Sequence, residues 1–479
     1  MIKKMISLLS AAIILSSIFS ISSSANSAQT WWKGTDASGV IVTDDESPVI
    51  VKNEVLTFNI DSFPENYYRS EYEMKSYTAS VTAQYTFYNP SDYDVTARLL
   101  FPFGEKPMYF YEYYDNEKDE YVDFDDTEKY EIILNGEPVE KKLRFTLNGG
   151  EFDTETAVGK IIDEFTKDNF YYPEMPVKKY TFTVSGIDTD KYHAATAAFD
   201  IETDSSDTRY YFVNQSGLHT QKDGTSRISN WVKNGDTLTV YILGNTKRDF
   251  PEWSFYEDGG VDDREKIDGK MTVKDVSLMT FYDLAFSQYR EESKIPETDW
   301  YNAVVEKFNT NKNLLGAENS LNIEKDLLRW YEYEITVPAK SEVINAVNAP
   351  VYPVIDTNYS PAVYDYTYLL SPAKTWASFG ELKIKINTPH YLVNSDGFSF
   401  SETDTGYELT FSGLPEHELE FRMSTSENPV KPKKSLTDIL PVEIIIMLSV
   451  IMIIAVLAII LSVIVAKIYK KRKKIKTLK

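Results

Sequence analysis

Seven carboxylates crowd one short stretch of this chain, Asp115, Glu117, Asp119, Glu120, Asp123, Asp125 and Asp126. Hard carboxylate oxygens at alternating positions are what calcium takes as ligands, and Asp115, Glu117, Asp119 and Asp123 form the candidate metal set. An EF-hand loop needs glycine at its sixth position, where Glu120 stands, so a solvated acidic loop is the leading reading and calcium the alternative. A second acidic loop, Tyr256 to Asp263, carries Gly259-Gly260 and allows the same two readings. Paired carboxylates could also serve a glycosidase as acid and base flanking one bond. No local spacing selects such a pair among so many acids.

Other chemistry lacks its residues. The only histidines are His193, His219, His390 and His417, none in an HExxH or other close metal pair, and there is no cysteine. A zinc or haem centre is therefore not expected and thiolate chemistry lacks its residue; no cofactor is expected, with calcium the one alternative the residues suit. Neither a GxSxG elbow nor a phosphate-binding glycine loop occurs. Trp31, Trp32, Trp253 and Trp376 could stack on sugars, although aromatics in a β-rich chain mostly build the core.

The two ends dictate an address. Ile444 to Ala466 is uncharged, and at about 1.5 Å per helical residue it reaches roughly 34 Å, enough to cross a hydrocarbon core. Lys467, Lys470, Lys471, Arg472, Lys473, Lys474, Lys476 and Lys479 follow, which places that end in the cytoplasm. The first six also suit the anionic lipid of the inner leaflet. Lys3 and Lys4, the apolar stretch Ile6 to Ile21 and small residues near Ala28 have the form of a secretory signal peptide over residues 1–28.

Charge separates the two sides. The chain carries 50 basic and 73 acidic residues; setting aside Lys3, Lys4, the eight tail cations and Glu443 leaves 40 against 72, a net charge of about −32 for the exterior. Nucleic acid and anionic lipid are thereby excluded as exterior partners. An exterior of this size without cysteine points to a bacterial surface, Gram-positive by composition.

The exterior reads as strands. Tyr77, Ala79, Val81, Ala83, Tyr85 and Phe87 alternate with polar residues, Asn89-Pro90 breaks the run, and Val95, Ala97, Leu99 and Phe101 resume it. The pair is expected to be an antiparallel hairpin. Val49 to Ile60 is another candidate strand, and Asn135-Gly136 marks a tight hairpin. Helical spacing appears at 276–289, at 298–308 behind Thr298 as N-cap, and at 320–328. Strand signals return at 331–337, 363–370, 382–386, 407–411 and 419–423.

The fold expected is mainly β: two antiparallel β-sandwich-like extracellular domains with a small helical insert, plus one C-terminal transmembrane helix. The divisions are a signal peptide 1–28, an N-terminal β domain 29–270, a helical insert 271–328, a second β domain 329–426, a stalk 427–443, the span 444–466 and a basic tail 467–479.

Three resemblances accompany these readings. The segment YTASVTAQYTFYNPSDYDVTARLLFPF, with Asn89-Pro90 and Phe101-Pro102, is similar to the β-sandwich domain shared by vault proteins and the inter-alpha-trypsin inhibitor heavy chains. That family often continues into a metal-dependent adhesion domain with an Asp-x-Ser-x-Ser loop, which this chain lacks. Leu440-Pro441 before the apolar run looks like a sortase signal, but Val442-Glu443-Ile444 replaces the scissile Thr-Gly, which implies a retained helix. The stretches LLRWYEYEITVP and VYDYTYLLSPAKTWASFGELKIKINTP look like uncharacterised surface proteins of Gram-positive bacteria. The function expected is a non-enzymatic, surface-anchored module binding protein or glycan; the alternative is a cell-envelope hydrolase with paired carboxylates.

Overall fold

Alternation does what its period requires. Tyr77, Ala79, Val81, Ala83, Tyr85 and Phe87 are all buried, each on the same side of an extended backbone. The computed structural model describes residues 31–431, apart from 45, 66–76, 110–112, 116–119, 123–125, 149–152, 169, 189–194, 203–207, 214–216, 221, 223, 245–253, 258–267, 283–294, 312–313 and 317–325, together with 464 and 467–468.

The chain is mainly β. In chain order the principal elements are β1 (Ile50–Asn59), β2 (Ser80–Tyr88), β3 (Val95–Gly104), β4 (Glu131–Leu134), β5 (Lys142–Leu147), β6 (Pro176–Ser185), β7 (Ala195–Glu202), β8 (Thr208–Val213), β9 (Thr225–Val232), β10 (Thr237–Gly244), β11 (Asp268–Ser277), α1 (Glu297–Asn311), β12 (Leu327–Val337), β13 (Glu342–Pro350), β14 (Val363–Leu369), β15 (Phe379–Asn387), β16 (Gly406–Phe411) and β17 (Leu419–Ser424). The chain divides into two compact units, Trp32–Ile355 with Tyr364–Glu427, and Met1–Trp31 with Asp356–Val363 and Asn428–Lys479. In the second unit Ser360 and Val430 exchange both backbone hydrogen bonds, and the Lys431 ammonium lies 4.6 Å from the Tyr359 ring centre.

In the first unit, the largest sheet runs β4, β13, β2, β1, β15, β16 between two short strands at its edges. A four-stranded sheet contains β5, β12 and β3, and β14 pairs antiparallel with β17 in a third. Side chains from all three meet in one core, among them Phe58, Tyr85, Leu99, Tyr333, Phe421 and Ile384.

The expected hairpin of β2 and β3 does not form. β2 lies between β1 and β13, whereas β3 pairs with β12, so the Asn89-Pro90 turn carries the chain from one sheet to the other. Asn89 is fully buried there; its Nδ2 donates to the carbonyls of Tyr93 and Val337 at 2.8 and 2.9 Å. β12 and β13 make a second arch of the same kind, and the two arches pair strand to strand. The sheet is also not wholly antiparallel, since β15 runs parallel to β1 at its centre. Asn135-Gly136 does close a tight hairpin, with φ values of 52° and 90° that favour those two residues.

The boundary expected at 329 falls inside β12 and that at 270 inside β11, and β1, β2 and β3 take their neighbours from β12, β13 and β15. The inserted segment lies between residues 148 and 326, whose backbones are joined by a 2.8 Å hydrogen bond from the Asn148 amide to the Asp326 carbonyl. The insert has its own two sheets, one containing β11, β6, β10 and β8 and one containing β9 and β7. Phe182, Val184 and Leu238 of the first meet Ala195, Ala197 and Val232 of the second. The opposite face of the five-stranded sheet packs Val177, Tyr241 and Leu243 against Trp300, Val304 and Phe308 of α1.

The helical insert needs correction too. Residues 271–277 belong to β11, held by ten register pairs to β6, and 327–328 begin β12. Cross-strand pairing overrides the helical spacing there. Helix does occupy 278–282 and α1, which starts at Glu297 and so places Thr298 inside the first turn instead of at the cap. The expected signal peptide 1–28 lies outside the described residues, as does nearly all of 432–479. Among the described residues, no helix is long and apolar enough to cross a membrane.

A fragment comprising residues 29–270 therefore lacks β12, β13 and β15, the partners of β1, β2 and β3. We expect it to show no cooperative urea transition by tryptophan fluorescence; a cooperative transition would restore 29–270 as an independent domain.

Candidate functional site

Charged groups inside the first unit are the exceptions that its sequence least explains, and each has a distinct solution. Arg144, on β5, is 1% exposed. Its alternation partner Thr146 also points inward and accepts a hydrogen bond from Trp330 Nε1 at 2.9 Å. All five guanidinium N–H groups of Arg144 find acceptors. Nε bridges both carboxylate oxygens of Asp299 at 3.1 and 3.0 Å, while Nη2 donates to Asp299 Oδ1 and the Ile162 carbonyl, each at 2.9 Å. Nη1 donates to Asp163 at 3.1 Å and to Glu332. Asp299 sits in the first turn of α1, where the helix dipole favours a negative charge, and also accepts from the Phe145 amide at 2.9 Å.

Glu332 is shared. Its second oxygen accepts from Arg98 Nε at 2.6 Å, and Lys142 reaches Asp163 at 3.1 Å. Burial alone would lower the affinity of Arg144 for its proton, but the Asp299 and Glu332 bonds and charges offset this and hold the guanidinium charged. Burial pushes Glu332 up, and hydrogen bonds from Arg98 and Arg144 pull it below the ordinary carboxylate range. The result is a clasp of fixed charges joining β3, β5, β12, the 160s loop and α1. It has no free acid or base with which to do proton chemistry.

Glu54 differs because, among the described residues, no cation faces it. It is 1% exposed on β1, aligned with Leu56 and Phe58 on the inward face, beside Tyr85 of β2 and Leu382 of β15. Tyr368 Oη donates to Glu54 Oε1 at 3.3 Å, the Tyr85 and Tyr368 hydroxyls lie 3.4 Å apart, and the Val40 amide donates to Tyr85 Oη at 3.2 Å. Burial pushes the carboxyl up from its usual 4.5 to about 7, against the opposing pull of the two tyrosines. The period of two from Phe58 back to Glu54 was the sequence signal for this residue. Arg144 had no comparable signal, since an arginine on a half-buried strand usually faces water.

The proposed calcium set is only partly visible. The backbone of Asp115 lies in the short strand Tyr113–Asp115, while Glu117, Asp119 and Asp123 lie outside the described residues. Asp126, the last acid of that run, is buried and ion-paired with Arg329, and accepts from Tyr130 Oη at 3.3 Å. Burial would lower the pKa of Arg329, but the Asp126 charge raises it above the ordinary arginine value. Residues 258–263 of the second acidic loop also lie outside the description. Among the described residues, no group of three or more His, Asp or Glu side chains could hold a metal ion.

The histidines stand apart: His219 and His417 are exposed, His193 lies outside the described residues, and His390 stacks on Phe63 at 4.4 Å. Trp376 is core, stacked on Phe87 at 4.4 Å and donating to the Val40 carbonyl at 3.0 Å. Trp31 is 47% exposed, Trp253 lies outside the described residues, and the Trp32 side chain is likewise outside the description.

No family model matches the chain, and no curated protein matches it significantly. Its fold was compared with solved structures, and one neighbour is a Legionella pneumophila protein described as a candidate nutrient-binding protein. That structure shares 10% identity and a TM-score of 0.32 over 82% of this chain and 72% of the other, a likeness too distant to bear on function.

Two outcomes test these networks. Replacing Arg144 by leucine strands the Asp299 carboxylate in the interior and should cost roughly 3–5 kcal/mol in urea unfolding, with a large coupling energy in a double-mutant cycle with Asp299→Asn. Glu54 binds its proton more tightly in the folded than in the unfolded chain. Its stabilising contribution is therefore full below pH 4.5 and lost as pH rises to about 7, a loss of roughly 3 kcal/mol. Glu54→Gln should remove that slope from the pH dependence of stability; identical profiles for the two proteins would refute the buried neutral acid.

Proposed function

We propose that this chain is a single-pass, membrane-anchored protein of a bacterial surface, whose β-rich exterior of two sandwich-like parts is a non-enzymatic binding module for protein or glycan. The observation that carries this reading is the uncharged run from Ile444 to Ala466 with eight cations directly behind it. Such a run is stable in a hydrocarbon core, and cations on one flank set its orientation. The N-terminal segment of signal-peptide form, the absence of cysteine and the resemblance to Gram-positive surface proteins support the same address. The six cations from Lys467 to Lys474 then meet anionic headgroups of the inner leaflet.

Binding is preferred to hydrolysis because of how the described carboxyls are held. A glycosidase needs two acids of opposed proton affinity in one accessible cleft. Glu54 and Asp36 have raised affinity, Glu54 sealed among tyrosines and Asp36 raised by burial against the pull of Lys33, and none of the acids held low, Glu332, Asp163, Asp153 and Asp168, is among the groups acting on either.

The lack of native cysteine makes the topology directly measurable. Ser401 is exposed on a short strand, and Thr477 lies in the basic tail. In intact cells a membrane-impermeant maleimide should label Ser401→Cys and leave Thr477→Cys unlabelled until the membrane is permeabilised. Labelling of Thr477→Cys in intact cells would overturn the proposal.

A further inference from the structure

β11 is unlike the other long strands of the insert. It ends the five-stranded sheet, and among the described residues nothing pairs along its outer edge. Every residue from Gly269 to Asp275 is exposed. Its register on β6 assigns the two faces. Met271 and Val273 stand beside the buried Phe182 and Tyr180, yet they are 49% and 47% exposed, so the facing sheet stops short of them. Lys270, Thr272 and Lys274 stand on the other face beside Thr183, Thr181 and Lys179. Asp275 shares the apolar face and is paired with Lys178 at 3.1 Å, whereas neither Lys270 nor Lys274 has an ion pair among the described residues.

Lysines by themselves are what a protected edge carries. Two uncovered apolar side chains on the opposite face are what such an edge avoids. The combination suits one kind of occupant, a strand with acidic residues on one face and apolar residues on the other, on a chain whose net charge of −23 otherwise repels acidic partners. We infer that the outer edge of β11 receives an extended acidic segment of a partner protein as an added β-strand. Backbone bonds continue the sheet, the partner's carboxylates meet Lys270 and Lys274, and its apolar side chains cover Met271 and Val273. This deepens the reading of the exterior as a binding module and names the class of partner.

The test uses the full chain in detergent micelles, with a fluorescein-labelled ten-residue peptide alternating aspartate and valine as the probe. A peptide alternating lysine and valine is the control. The acidic peptide should raise anisotropy, protect the amides of 268–277 from hydrogen exchange, and bind about tenfold more weakly to the Lys270→Glu/Lys274→Glu double variant. These side chains are exposed, so an unchanged Tm establishes that the variant is folded. No binding, equal binding of both peptides, or full binding by the double variant would overturn the inference. So would a dimer of the full chain dissociated by Thr272→Pro, since a second copy would then be the occupant. The topology labelling is read in cells without peptide, so failure here and failure of the surface address are separate results.

Discussion

A desolvated guanidinium with five donors must be given five acceptors, and Arg144 obtains them from segments spread between residues 162 and 332. That requirement ties the insert to the sheets around it. Asp299 can reach Arg144 only if α1 docks against β5, and Glu332 only if β12 lies alongside. Removing Arg144 would leave the buried Asp299 carboxylate without its cation, which is costlier than never having buried the pair. The clasp thus adds to apolar packing a set of directional contacts that join these elements.

The same unit solves a second interior charge in the opposite way. Among the described residues Glu54 faces tyrosine hydroxyls and no cation, so burial raises its proton affinity to about 7 instead of a partner fixing its charge. One network therefore works by pairing charges and the other by avoiding one. Both rest on strands brought together across long sequence separation. β1 lies between β2 and β15, and β12 joins β5 to β3. Residues before and after the insert form these sheets jointly, and the insert departs and returns at two hydrogen-bonded points.

Part of the strand set was legible from alternation, including the inward set Tyr77 to Phe87 and the turn at Asn135-Gly136, whereas β7, β8, β9 and β13 were not singled out. The candidate site was not. The acidic cluster drew attention through its composition, but Asp126, the member whose side chain is described, serves Arg329 in the interior. Arg144, Glu54 and Glu332 are single charges on otherwise ordinary strands, and only their surroundings distinguish them. Helical spacing at 276–289 was partly overruled because β6 offered residues 268–277 a complete ladder, a competitor no local window contains.

By itself the sequence determined the β-rich character, the inward face of most strands, the absence of thiolate chemistry and the apolar run with its basic flank on which the proposed address rests. Each is a property of composition or of a side-chain period that a few consecutive residues impose. Tertiary structure alone decided which strands pair, that Asn89-Pro90 bridges two sheets, that the sheets on either side of residues 148–326 are formed jointly, and that Arg144 and Glu54 lose water. Those outcomes depend on contacts hundreds of residues apart, whose free energy no local pattern records.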